Sequence, residues 1–174
     1  MTRIFIIGYR ATGKTTAGKK LSMELNIPFF DLDDVIVKKQ GQNIQKIIED
    51  FGWDYFRRLE RERLKDFMDL NESFVLSCGG GAVLHGDLWK KLKNAFVIWL
   101  KAEPQKIFER IINDPVTVEQ RPPLDETLSL KDEIVKKLEE RTPLYEEFSD
   151  ITIETDCLNI DEIVNKIKGG IYGG

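Results

Sequence analysis

The chain carries a single histidine, His85, and only two cysteines in 174 residues. One imidazole gives no support for a histidine-based zinc site or catalytic triad. Cys78 and Cys157 show neither metal-ligand spacing nor a disulfide framework. Cys78 adjoins an apolar run, so a buried thiol is expected, which suits a reducing, cytoplasmic setting. No apolar run approaches the ~20 residues of a membrane-spanning helix. The four-residue run after Arg3 ends at Gly8, too short for the core of a signal peptide. An excess of positive charge is also missing. Lys and Arg total 26 against 30 Asp and Glu, a net charge of −4. That balance argues against a nucleic-acid partner and against an anionic membrane surface. Internal repeats and low-complexity blocks are lacking, and no sustained heptad pattern suggests coiled-coil association. A hydrophobic share of 41% over 174 residues suits one domain spanning 1–174.

What is present is concentrated first at Gly8-Tyr9-Arg10-Ala11-Thr12-Gly13-Lys14-Thr15-Thr16. This matches the phosphate-loop pattern G-x-x-x-x-G-K-[ST]. Ile4–Ile7 before it reads as a buried parallel strand, and Ala17–Leu25 after it as a helix with Ala17, Leu21 and Leu25 on one face. A chance match in a glycine turn is the plain alternative, and the strand and helix on either side weigh against it. Glycine lets backbone approach a polyphosphate, and loop N–H groups plus the helix N-terminus present positive charge to it. Gly8, Arg10, Ala11, Thr12, Gly13, Lys14, Thr15 and Thr16 are therefore the candidate nucleotide contacts. Lys14 is expected at the β/γ-phosphates, with the Thr15 hydroxyl on Mg²⁺.

Further strands are expected at Pro28–Phe30, Phe74–Ser77, Ala95–Leu100 (as a central strand) and Ile151–Ile153 (as an edge). Helices are expected at Asp33–Lys39, Ile44–Asp50, Asp54–Leu70, Gly86–Leu92, Pro104–Ile112, Leu130–Phe148 and Ile160–Ile167, with Gly169–Gly174 as a frayed tail. This alternation predicts an α/β fold with a five-stranded parallel sheet flanked by helices. Sites in such folds lie beyond the carboxyl ends of the strands.

Those ends carry chemistry. Asp31 and Asp33 follow the second strand: one carboxylate can serve magnesium, the other an acceptor hydroxyl, while a helix N-cap is the plainer role for Asp33. Gly79-Gly80-Gly81 follow the third and suggest exposed N–H groups lining a pocket, or simply a turn. Ser77 could hold a metal-bound water. Arg57 and Glu60 share a helix face and could grip an acidic substrate, though a solvated charged run is the usual meaning of such a stretch. Gln120–Leu124 lies in a polar segment, about 113–125, that suits a mobile lid bringing Arg121 to a transferring phosphoryl group. Arg141 ends a long helix before Thr142-Pro143, where a basic residue also complements the helix dipole.

In order, these motifs resemble the shikimate kinase family: the phosphate loop, Asp31 and Asp33, Phe56–Glu60 as F-R-x-x-E, Gly79–Gly81, Arg121–Leu124, and Arg141–Tyr145 as R-x-P-L-Y. The resemblance implies a P-loop NTPase fold of the nucleoside monophosphate kinase type, with a substrate-binding region near 33–60 and a lid near 113–125. It implies transfer of phosphate from ATP to the 3-hydroxyl of shikimate, with Mg²⁺. Asp33 would meet that hydroxyl. Arg57 and Arg141 would hold the carboxylate, and Gly79, Gly80 and Gly81 would line the substrate site. Asp31 and Thr15 would serve magnesium, Arg121 would close onto the phosphates, and Arg110 would flank adenine. Lys14, Asp33 and Arg121 are the expected catalytic residues. The chain departs from the family at Ala11, where glycine is common, and in the Pro122-Pro123 pair. Kinases of related small acids such as gluconate are the alternative.

Overall fold

Strand β1 (Arg3–Ile7) is buried along its whole length, because it pairs on both sides. The computed structural model describes residues 1–114 and 127–173. Four more strands complete the sheet: β2 (Phe29–Asp31), β3 (Phe74–Ser77), β4 (Phe96–Lys101) and β5 (Ile151–Glu154). All neighbours run parallel in the order β2-β3-β1-β4-β5. The centre is therefore β1, not the run at 95–100. That run forms β4, one place out, and β5 is an edge as expected. Strand order follows crossover geometry, which local hydrophobicity does not encode.

The helices are α1 (Lys14–Leu25), α2 (Leu32–Gln40), α3 (Ile44–Asp69), α4 (Gly86–Trp89), α5 (Pro104–Ile112), α6 (Leu130–Phe148) and α7 (Ile160–Tyr172). Period-two alternation divides β1 between two cores. Phe5 and Ile7 join Leu32, Phe56, Leu64 and Trp99 on one face, and Ile4 and Ile6 join Leu21, Ile98 and Val164 on the other. Both faces of the sheet are thus covered, as a parallel sheet requires.

Three boundaries differ from the sequence pattern. The expected helices 44–50 and 54–70 run end to end as α3, broken at Gly52, whose φ of 82° and ψ of 168° are not helical. The expected helix 86–92 is a single turn, α4, after a 3₁₀ turn at Ala82–Leu84. The chain then continues in i→i+3 turns, Lys91 N–H to Leu88 O and Leu92 N–H to Trp89 O. Finally, α7 passes Ile167 and reaches Tyr172 through Gly169 and Gly170. A Cβ at Gly170 would lie 2.6 Å from Ile151 Cδ1, so the absent side chain lets the helix lie against β5.

Candidate active site

The loop between β1 and α1 supplies the first half of the site. Gly13 caps α1 in the left-handed region, at φ 89°, with Lys14 and Thr15 opening the helix. Gly8 also has positive φ, and a Cβ there would collide with the carbonyl of Leu100 on β4. Ala11 adopts φ 60°, the left-handed conformation that glycine takes without steric cost. Three contacts hold the loop. Thr12 Oγ1 donates to Tyr9 O at 2.9 Å, Lys14 Nζ donates to the same carbonyl at 2.6 Å, and Arg110 Nη1 donates to Ala11 O at 3.2 Å. Lys14 is buried, whereas Thr16 is exposed on the first turn of α1. Arg110 also donates to Thr155 O at 2.9 Å, which ties the loop to the segment after β5.

The end of β2 stands beside this loop. Thr15 Oγ1 donates to Asp31 Oδ2 at 2.7 Å and lies 3.4 Å from Ser77 Oγ. Asp31, rather than Asp33, is the N-cap of α2: its Oδ1 accepts from Asp33 N–H at 3.1 Å. Asp33 sits in the first helical turn, which leaves its side chain for the pocket and removes the capping alternative. Arg10, Ala11, Lys14, Thr15, Asp31, Asp33, Ser77, Gly79 and Gly80 line one cleft. Hard oxygen donors from Thr15, Asp31 and Ser77 converge there, a set that fits Mg²⁺ with most of its shell left to water and phosphate. The backbone at the α1 N-terminus fits a polyphosphate. Asp34 lies in the same cleft, and its carboxyl is raised by burial and by the charge of Asp31.

A second pocket opens against the first. It is lined by Tyr9, Arg10, Ile44, Trp53, Phe56, Arg57, Glu60, Gly80, Gly81 and Arg141, so Arg10 and Gly80 belong to both. Arg57 is not on a solvated face. Its Nη1 donates to Glu60 Oε2 at 2.7 Å, and its guanidinium lies 5.3 Å from the Trp53 ring centroid and 5.4 Å from that of Phe56. Gly81 permits this position, because a Cβ there would overlap the guanidinium. Gly79 is equally confined: its Cβ would come 2.8 Å from Glu60 Oε1 and 3.1 Å from Asp33 Oδ1. Arg141 is 4% exposed, donates through Nη1 to Gly80 O at 3.0 Å and lies over the Tyr9 ring. It faces the pocket from the interior of α6, which continues through Pro143 to Phe148, so it is not a helix-end charge.

Burial pushes the Glu60 carboxyl up, but the His85 hydrogen bond and the Arg57 charge outweigh that and hold it below its ordinary value. Burial raises Tyr9 and carries Tyr145 and Cys78 far above their ordinary ranges, so Cys78 is the inert buried thiol the sequence predicts. Several site residues escape sequence reasoning. Tyr145 Oη donates to Gly80 O at 2.7 Å, and Glu133 Oε1 accepts from Arg10 Nη2 at 2.7 Å. His85 and Trp53 complete the group. Tyr145 alone left a trace, four residues after Arg141 on one helix. Arg121, Pro122, Pro123 and the segment from 115 to 125 lie outside the described residues.

A phosphate loop at the end of a central parallel strand, facing an acidic magnesium-type cluster, defines a P-loop kinase. The shikimate kinase family model matches residues 10–171, and the chain belongs to that family. It is 37% identical over 172 residues to the shikimate kinase of Syntrophus aciditrophicus, covering 94% of this chain and 88% of the relative. It is 38% identical to that of Dictyoglomus turgidum over 92% of both chains. Among solved structures, shikimate kinase from Acinetobacter baumannii in complex with shikimate superposes with a TM-score of 0.89 at 28% identity, over 99% of this chain and 94% of that one. A gluconokinase from Sinorhizobium meliloti reaches 0.59 at 17% identity, with 98% of this chain and 91% of that one covered; this shows a shared fold alone.

Proposed function

We propose that this protein transfers the γ-phosphoryl group of ATP to the 3-hydroxyl of shikimate, giving ADP and shikimate 3-phosphate on the route to aromatic amino acids. The observation that carries this is the pairing of two pockets across Gly80: a phosphate loop on one side, and a pocket lined by Arg10, Arg57 and Arg141 with aromatic walls on the other. Such a pocket suits a small ring bearing a carboxylate on a protein that is acidic overall.

The roles follow from position. Arg57 and Arg141 hold the carboxylate, while Gly79, Gly80 and Gly81 bring backbone close to the ring. Asp33 orients the acceptor hydroxyl and takes its proton as the phosphoryl group departs ATP. Lys14 leaves Tyr9 O for the β/γ-phosphates, and the loop from Gly8 to Thr16 cradles the rest. Arg10 marks the boundary between donor and acceptor. Arg110 flanks adenine, and Arg121 supplies charge to the transferring group. Thr15 and Asp31 hold Mg²⁺, which when bound neutralises charge on the β- and γ-oxygens. The reading includes a cytoplasmic, monomeric enzyme built as one domain. Among the described residues no helix is long and apolar enough to cross a membrane.

The test is ADP release from MgATP with shikimate, gluconate and nucleoside monophosphates as parallel acceptors. Stimulation by shikimate alone is expected. Turnover on gluconate or a nucleotide without turnover on shikimate overturns the acceptor assignment. Lys14→Ala is expected to lose at least about 10²–10³ in kcat, the scale of removing one preorganised donor from a transition state.

A further inference from the structure

The single histidine lies behind the carboxylate arginine. His85 is buried, and its Nε2 is 3.1 Å from Glu60 Oε2, the same oxygen that accepts from Arg57 Nη1 at 2.7 Å. Glu60 is 1% exposed in its side chain. Because both neighbours favour its ionised form, Glu60 is an acceptor only, and His85 Nε2 carries the hydrogen between them. The three side chains form one line: His85 fixes Glu60, Glu60 fixes Arg57, and Arg57 faces the acid pocket.

We infer that His85 is a positioning residue for shikimate binding: it holds Glu60, and through Glu60 the Arg57 guanidinium, where the acid is met. This inference rests on the functional reading above. Neutral and protonated imidazole both donate through Nε2, so the hydrogen bond to Glu60 is made in either state. Helices α3 and α6 pack on the turn that carries His85, so the fold itself fixes the imidazole that Glu60 meets.

The experiment measures KM for shikimate, KM for ATP and kcat in His85→Ala and His85→Gln. His85→Ala loses the donor and is expected to raise KM for shikimate ~3–10-fold, the scale of one hydrogen bond, with KM for ATP unmoved. His85→Gln keeps a donor and is expected to reverse most of that rise. An unchanged KM for shikimate in His85→Ala overturns the inference, and so does a rise that His85→Gln does not reverse. If shikimate fails to stimulate ADP release in the wild type, the functional reading falls and takes this inference with it.

Discussion

Arg141 and Tyr145, one turn apart on α6, donate to a single acceptor: Gly80 O lies 3.0 Å from Arg141 Nη1 and 2.7 Å from Tyr145 Oη. The carbonyl between the two pockets is thereby held from one side by one helix. Tyr145→Phe leaves Arg141 as the only side-chain donor to Gly80 O among the described residues. The expected loss is about 1 kcal/mol of stability, which for a domain of this size lowers Tm by roughly 2–4 °C. KM for shikimate is expected to rise as Arg141 loosens. Thermal melts and steady-state kinetics check both, and an unchanged KM separates the hydrogen bond from substrate binding.

Arg57→Ala removes the charged partner of the buried Glu60 carboxylate and the proposed partner of the substrate carboxylate. Truncations of that kind cost about 2–5 kcal/mol. The expected outcome is a fall of at least ~30-fold in kcat/KM for shikimate, with ADP affinity retained. Arg57→Lys is expected to recover little, because a point charge does not reproduce the guanidinium fork or its contact with Trp53 and Phe56. Calorimetric titration with ADP is the control, and lost ADP binding would show that the pocket as a whole had collapsed.

Gly81→Ala tests the same arginine from behind. The new methyl would occupy the space of the Arg57 guanidinium. Displacement of Arg57 is expected to reproduce most of the Arg57→Ala defect in shikimate kinetics. Wild-type kinetics in Gly81→Ala would mean that the guanidinium has room to shift without losing function.

Ala11 holds a left-handed backbone at φ 60°. Such a conformation costs an L-residue about 1–2 kcal/mol, of which a glycine replacement returns part to the unfolded chain as entropy. Ala11→Gly is expected to stabilise the protein by roughly 0.5–1 kcal/mol, visible as a rise of a few degrees in Tm. A lowered Tm would show that the Ala11 methyl, which packs beside the core formed by Tyr9, Ala102 and Ile107, outweighs the strain.

Glu60 gives the acid limb of stability a specific shape. Its carboxyl is held below the ordinary value of 4.5 in the folded protein. A group lowered in this way stabilises the fold above its unfolded pKa, and that contribution disappears as pH falls through the lowered folded value. The Tm advantage of wild type over Glu60→Gln is therefore expected to be full near neutrality and to shrink as the pH drops below about 4.5. A gap that stays constant with pH would mean that Glu60 acts through packing rather than through charge.

The phosphate loop was legible because its strand, turn and helix are contiguous, so spacing alone brings Gly8, Lys14 and Thr15 together. The break at Gly52 was legible too, as a gap between two amphipathic stretches. Arg57 and Glu60 could be paired from their spacing, but not turned inward. A charged run looks the same on a solvated face and in a pocket until Trp53, Phe56 and Gly81 are known to enclose it. The pairs Glu60–His85, Gly80–Tyr145 and Arg10–Glu133 join residues 25 to 123 positions apart, and such contacts leave no local signature. The extension of α7 over Gly169 and Gly170 was hidden for the opposite reason. Glycine argues locally for fraying, whereas here its missing side chain is what lets the helix lie on Ile151.

Gly80 and Arg10 line both pockets, and at Gly80 no side chain separates them. One molecule that carried a carboxylated ring on a short tether to a polyphosphate could span the two chambers past Gly80. Its second half would bind at the effective concentration set by the tether, so the gain over either fragment would be an avidity of about 10²–10⁴. The same thin partition that brings donor and acceptor together makes the protein a natural receptor for a bisubstrate inhibitor.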